Sequence, residues 1–227
     1  MSKKTTGEET RTSIDNLNDS LTGLSAKVQK NMKVLSIIGI VIAAIVVGVI
    51  VYIFLVKKPA VKKMDNAIGQ ADRELLMTGN DSTSTVMYQK VAEGSYDAAN
   101  RAKLMAAIGL YKQGKYEEAI KYLKDYSVKD AIIGPASLSL LGDCYVNTDK
   151  LEDAVKAYKD AISESAGNPY YTPIFMVKLA HIYHEQKKYS DEAAIYQEIM
   201  DKYPQFMSNT YFNIEKDLER AKQLAGK

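Results

Sequence analysis

In 227 residues the chain has one cysteine, no tryptophan, two histidines, five prolines and four phenylalanines. A single thiol excludes a disulfide framework and any zinc site built from several thiolates, because each needs at least two sulfurs. It leaves the redox compartment open. The sequence also lacks a G-x-S-x-G elbow, a phosphate loop and a dinucleotide fingerprint. No catalytic residues, metal, cofactor or small-molecule substrate are expected, and an enzyme is the least favoured of the function classes. The net charge of +2 hides an asymmetry. Residues 1–63 carry 10 Lys/Arg against 4 Asp/Glu, which leaves 20 against 24 for residues 64–227. That second part is mildly acidic, so nucleic acid is not an expected partner.

One stretch is present in excess. Val34 to Val56 runs 23 residues without a charge, mostly Ile and Val, between Lys33 and the pair Lys57, Lys58. At about 1.5 Å per residue it reaches roughly 34 Å, slightly more than a hydrocarbon core of about 30 Å. We read residues 34–56 as an uncleaved transmembrane anchor. The run is too long for a signal peptide, a 33-residue polar tail precedes it, and Lys62 and Lys63 stand where a cleavage site would lie. Gly39 with Ala43, and Ala44 with Gly48, are small residues four apart, as in spans that approach another helix and in ordinary spans alike. Lysines flank both ends, and long domains translocate largely regardless of such charge, so the charge count leaves the topology open. In the tail, residues 1–33, Ile14, Leu17, Leu21, Leu24 and Val28 recur at helical steps, thinly enough that a short amphipathic helix and disorder both stay open.

After the anchor, apolar residues from Val61 to Leu75 keep helical spacing, predicting a helical stalk over 57–80. Gly79 to Thr85 is rich in Asn, Asp, Ser and Thr, and is expected to break that helix and cap the next. From there the chain repeats itself. Leu141-Gly142-x-x-Tyr145 is followed by Leu151-x-x-Ala154-x-x-x-Tyr158-x-x-Ala161, the spacing of the tetratricopeptide pattern. Ala106-Ala107-x-x-Leu110 with Ala119 precedes it by 35 residues, and Leu179-Ala180-x-x-Tyr183 with Tyr196 and Pro204 follows by 38. These spacings predict an all-α chain: one N-terminal transmembrane helix, then, over 81–227, a tetratricopeptide-type α-solenoid of about three helix-turn-helix repeats. Small residues let paired helices approach, and Tyr and Leu fill the gaps between hairpins. Since no hairpin buries its face alone, the ends need caps. Residues 60–93 and Met207–Leu224 are expected to supply them, the latter through Tyr211, Ile214, Leu218 and Ala221. Glu192 stands where the pattern wants a small residue, so the third hairpin is expected either to turn until Ala193 faces its partner or to pack more loosely.

The chain also resembles a narrower group. Ser137-Leu138-x-x-Leu141-Gly142-Asp143-x-Tyr145, Tyr171-Thr172-Pro173-Ile174-Phe175 and Ile195-Tyr196-x-x-Ile199-x-x-x-Tyr203-Pro204, behind a tail, one span and a stalk, are similar to single-span bacterial inner-membrane tetratricopeptide proteins. That group is related to the ancillary subunit of the Sec translocon, and the likeness is to its Bacteroidota-type members. The resemblance implies a cytoplasmic N-terminus, a periplasmic repeat domain in the inner membrane, and contact with translocon subunits, periplasmic chaperones or secreted chains. In the repeat family the concave groove is lined by each hairpin's first helix. Carried over residue by residue, it implies Arg101, Leu104, Ile108, Tyr111 and Lys112 in the first repeat, Ser139, Asp143 and Asn147 in the second, and Val177, His181, His184 and Glu185 in the third. A protein-binding module fits that mixture better than a structural scaffold of an envelope assembly, which remains the alternative. His181 and His184 are three apart, but no third ligand accompanies them, so polar surface residues are expected rather than a metal site. Cys144, with no nearby histidine in sequence, is expected to be a structural thiol.

Overall fold

The computed structural model describes residues 21–22, 29, 31–127, 130–208 and 212–226. The amphipathic pattern of the tail, apart from Leu21, and Tyr211 lie outside them. The chain divides into two compact units, Met1–Ala60 and Val61–Lys227.

In the first unit, helix α1 (Met32–Tyr52) is followed by a π-helical turn, Ile53–Lys57. The uncharged run is helical, and none of α1 is buried. A row of exposed Ile and Val side chains of this length is unstable against water. It is long and apolar enough to cross a membrane.

The second unit is a stack of antiparallel helices: α2 (Lys58–Thr78), of which the residues from Val61 on belong to this unit, α3 (Asp81–Ala92), α4 (Tyr96–Lys112), α5 (Tyr116–Asp125), α6 (Ile133–Val146), α7 (Leu151–Glu164), α8 (Tyr171–Glu185), α9 (Tyr189–Lys202), the short α10 (Pro204–Ser208) and α11 (Ile214–Ala225). No strand occurs among the described residues. From α3 to α9 each helix packs on the next, and α11 closes on α9. This is a tetratricopeptide-type α-solenoid.

The three tight turns are built alike. Gly114, Asp149 and Lys187 take left-handed backbone conformations. The lysine after each donates its backbone N–H to a carbonyl five residues back: Lys115 to Leu110, Lys150 to Tyr145 and Lys188 to Tyr183, at 2.8–2.9 Å. That bond closes a helix end in the Schellman manner and reverses the chain. Asp149 and Lys187 do so without being glycine, which is why composition alone does not mark these turns.

Small residues set the close approaches. Ala107, Ala119, Ala154 and Ala180 are fully buried, and a Cβ added at Gly142 would sit 2.6 Å from the Tyr158 ring. The same positions continue one hairpin earlier. Ala71, Ser84 and Tyr88 precede Gly142, Ala154 and Tyr158 by 71, 70 and 70 residues, two repeat lengths, and all three are buried. Helices α2 and α3 therefore form a degenerate hairpin in register with the three expected ones. Ile68, Ala71, Tyr88 and Val91 join Ala98 and Ala102 of α4 in one core.

Two local expectations need correction. The break at Gly79–Thr85 is confined to Gly79 and Asn80: the Asn80 side chain accepts from Thr83 N–H at 3.0 Å, and helix resumes at Asp81 with Ser84 and Thr85 buried. At the other end the cap is α10 and α11 rather than one helix over 207–224, and α11 seals the core with Ile214, Leu218 and Ala221.

Candidate protein-binding face

Successive first helices, α2, α4, α6 and α8, present one face of the second unit, and its side chains are tied together from helix to helix. On α2, Asp72 accepts from the Tyr88 hydroxyl at 2.7 Å and from Arg101 of α4 at 2.8 Å. On α6, Asp143 accepts from the Tyr158 hydroxyl at 2.7 Å and from Lys178 of α8 at 2.6 Å. Each is an acid on one first helix, a buried Tyr on the second helix of its hairpin, and a base on the next first helix. Between these two clusters Tyr111 lies edge-to-face on Tyr116, centroids 5.4 Å apart, with Asn147 beside its hydroxyl. Burial raises the Tyr111 pKa, and the neighbouring Asp143 raises it further, so the phenol stays protonated and able to donate.

The third hairpin departs from this scheme. The position of Asp143 is taken by His181, and the Tyr196 hydroxyl, fully buried, has no hydrogen-bond partner among the described residues. Glu192 does not turn away. It occupies the small-residue position itself, 0% exposed, its carboxylate 2.8 Å from His184 Nδ1 and 3.4 Å from Arg220 on the capping helix. Two partners compensate the desolvated charge. His181 is an exposed residue whose imidazole pKa is lowered, chiefly by desolvation of the ring against the opposing pull of Asp217 and Glu192.

Of the positions that the family pattern implies, Tyr111, Asp143 and Asn147 come together. Asn147 also donates to the Asp143 carbonyl at 2.8 Å. Arg101 is tied to Asp72, and Lys112 to Asp81 at 3.2 Å. Glu185 is exposed. His184 is not a plain surface residue, since it holds Glu192. Val177 is buried and Leu104 and Ile108 half-buried, so their contribution is to packing, whereas Ser139, also buried, accepts from Lys178 at 3.2 Å and joins the Asp143 cluster. Sequence reasoning missed Asp72, Lys178 and Arg220. A signal for the first was present: Asp72 follows Ala71 as Asp143 follows Gly142. Burial pushes the Cys144 thiol up to about 12, so it is not a thiolate at neutral pH. Among the described residues no group of three His, Cys, Asp or Glu side chains is placed to hold a metal ion.

Residues 104–169 match the tetratricopeptide repeat family. The match runs from the middle of α4 through α5, α6 and α7. Among solved structures, the crystal structure of MamA is 18% identical with a TM-score of 0.57, covering 72% of this chain and 82% of that one. A Podosopora anserina protein with nearly identical TPR-like repeats is 14% identical, with a TM-score of 0.54 over 72% and 87%. BtubC from P. vanneervenii is 10% identical, with a TM-score of 0.53 over 74% and 84%. At these identities the likeness is one of fold. No curated protein matches the sequence significantly. Tetratricopeptide repeats are protein-interaction scaffolds, and protein partners follow for this chain at that level.

Proposed function

We propose that the chain is a single-span membrane protein whose repeat unit, residues 81–227 with helix α2 before it, holds segments of partner proteins in the concave groove of its first helices. The observation that carries the reading is the linked face of Tyr111, Asn147, Asp143 and Lys178, which offers polar and aromatic contacts across three successive first helices. Arg101, Lys112, Lys178 and Arg220 each already face a carboxylate within the chain. The groove therefore presents compensated charge rather than a cationic clamp, and the segments that suit it are neutral, extended or helical ones. Arg101, Tyr111, Lys112, Asp143, Asn147, His181, His184 and Glu185 are the proposed groove residues, Asp143 and His184 acting by positioning their neighbours. Tethering substitutes for affinity: an anchored groove meets membrane-bound partners at effective concentrations that reach the millimolar range, so a weak site suffices.

The resemblance to inner-membrane relatives of the Sec translocon's ancillary subunit supports an N-terminus in the cytoplasm and a repeat unit in the periplasm. There it would receive secreted chains or hand them to chaperones. Photo-crosslinking groups placed at Asn147 and Glu185 should capture partners in membranes, and groups at Lys156 and Lys159 on the second helix α7 should not. The reverse pattern would replace groove binding by docking on the outer helices. Protease added outside spheroplasts should degrade the repeat unit; protection there would remove the periplasmic assignment.

A further inference from the structure

The two edges of the repeat unit differ in chemistry. The tight turns within the three expected hairpins lie at one edge and are polar, Gln113-Gly114-Lys115, Asn147 to Lys150, and Gln186-Lys187-Lys188, while just before the α2–α3 turn Leu76 and Met77 are exposed. Ion pairs and hydrogen bonds run along it, Lys112 to Asp81, Lys150 to Glu117 and Gln186 to Glu152. At the other edge every first helix begins. Asn100 and Ser127 exchange two hydrogen bonds there, and Met64 of α2 lies against Gly94.

Two connections at this second edge share one design. In Asp130-Ala131-Ile132-Ile133-Gly134-Pro135 the Asp130 carboxylate accepts from the N–H groups of Ile132 and Ile133. Thirty-eight residues on, in Asn168-Pro169-Tyr170-Tyr171-Thr172-Pro173, Asn168 accepts from Tyr170 and Tyr171 at 2.9 and 3.0 Å. Each side-chain acceptor pins a tip that pushes large apolar residues outward, two in the first and one in the second. Ile132, Ile133 and Tyr170 are 54%, 51% and 64% exposed, although Pro135 and Pro173 of the same tips are buried. The groove reading has no use for them.

Val61, where the chain enters the repeat unit, is at this same edge, three residues before Met64. Only four residues separate it from Val56, the last of the uncharged run, and even fully extended the five steps reach no more than about 17 Å. We propose that the tips Ile132-Ile133 and Tyr170 rest in the headgroup region of the membrane that Val34–Val56 crosses, making this edge a second, peripheral membrane contact. The chemistry suits that layer. Tyr places an apolar ring and a polar hydroxyl at the membrane–water interface, and Ile reaches the acyl boundary just below it. The consequence for function is orientation, because an edge held on the lipid fixes which way the groove faces. The inference rests on the anchor reading given above.

The absence of tryptophan makes the test clean. Full-length protein carrying a single Tyr170→Trp, Ile132→Trp, Lys115→Trp or Val46→Trp substitution is reconstituted into phosphatidylcholine vesicles, with and without brominated lipids, the bromines near the headgroup end of the acyl chains for the edge positions and near the chain ends for Val46→Trp. Tyr170→Trp and Ile132→Trp should emit at shorter wavelength than Lys115→Trp, at the polar edge, and should lose most of their emission to the brominated lipid while Lys115→Trp keeps its own. Val46→Trp reports the span. If Val46→Trp is quenched and the two edge reporters behave like Lys115→Trp, the edge contact is wrong and the anchor stands. If Val46→Trp is not quenched either, the anchor reading fails and the edge proposal with it. Two reporters on separate tips guard against one substitution unfolding its own loop.

Discussion

In the second hairpin α6 and α7 meet through Gly142 and Ala154, and the Tyr158 hydroxyl is taken up by Asp143 at 2.7 Å. In the third, α8 and α9 meet through Ala180 and Glu192, and the corresponding Tyr196 hydroxyl has no partner among the described residues. Both hairpins fold the same way, so the repeat positions specify how closely helices approach and not which chemistry fills the gap. Where Ala154 lets two backbones touch without further condition, Glu192 imposes one: a fully buried carboxylate is tolerable only while His184 and Arg220 stay beside it. The second hairpin is thus built on fit and the third on compensation, and the two should break differently.

The largest effect is expected at the fitted contact. Gly142→Leu drives a branched side chain into the Tyr158 ring, which the bond to Asp143 holds in place. The cost should be about 3 kcal/mol or more. Gly142→Ala should cost clearly less, since Ala180 and Ala107 carry a Cβ at the same position. Urea unfolding of residues 61–227, with circular dichroism, reads both. Similar midpoints for Gly142→Leu and the native unit would mean that the close approach is not tight.

A smaller loss is expected from unmaking the compensation. His184→Ala removes the nearer partner of Glu192 and leaves Arg220 at 3.4 Å, which should cost about 2 kcal/mol, as for a buried charge losing a hydrogen bond. Glu192→Ala should stay within about 1 kcal/mol of the native unit. It restores the residue that the other two hairpins use and frees two part-exposed bases to water. Equal losses for the two variants would make the carboxylate a net stabiliser and overturn the idea that it is merely accommodated.

The same contrast explains what was legible in the sequence. Alanine, glycine and tyrosine at fixed spacing decide which helices touch, a local pattern that survives in one dimension, so the three hairpins and the uncharged run could be read directly. The hairpin of α2 and α3 could not be read in the same way. Its turn lies one residue out of step and its helix-packing position carries Ser84, leaving only Ala71, Asp72 and Tyr88 to betray it. Glu192 looked like a defect because its remedy is distant: Arg220 lies 28 residues on, in a helix outside the repeat pattern. On the candidate face, Tyr111, Asp143 and Asn147 were legible from spacing. That Lys178 closes on Asp143 depends on how α6 and α8 lie side by side, which spacing along one helix does not encode.

The finest test removes one oxygen from each hairpin. The Tyr158 hydroxyl donates to a carboxylate that Lys178 also holds, so Tyr158→Phe should leave Asp143 charged and paired but short of one bond, costing about 1 kcal/mol. The Tyr196 hydroxyl is buried without a described partner, its proton held well above the ordinary phenol range by burial and by Asp217 and Glu192 nearby. A buried hydroxyl that makes no bond has already lost its water, and removing it returns that loss. Tyr196→Phe should therefore be neutral or stabilising by up to about 1 kcal/mol. Opposite signs, or a loss confined to Tyr158→Phe, would confirm that the two hairpins hold the same ring for different reasons. A loss at Tyr196→Phe as large as at Tyr158→Phe would mean that its hydroxyl does find an acceptor, and that the third hairpin is as fully satisfied as the second.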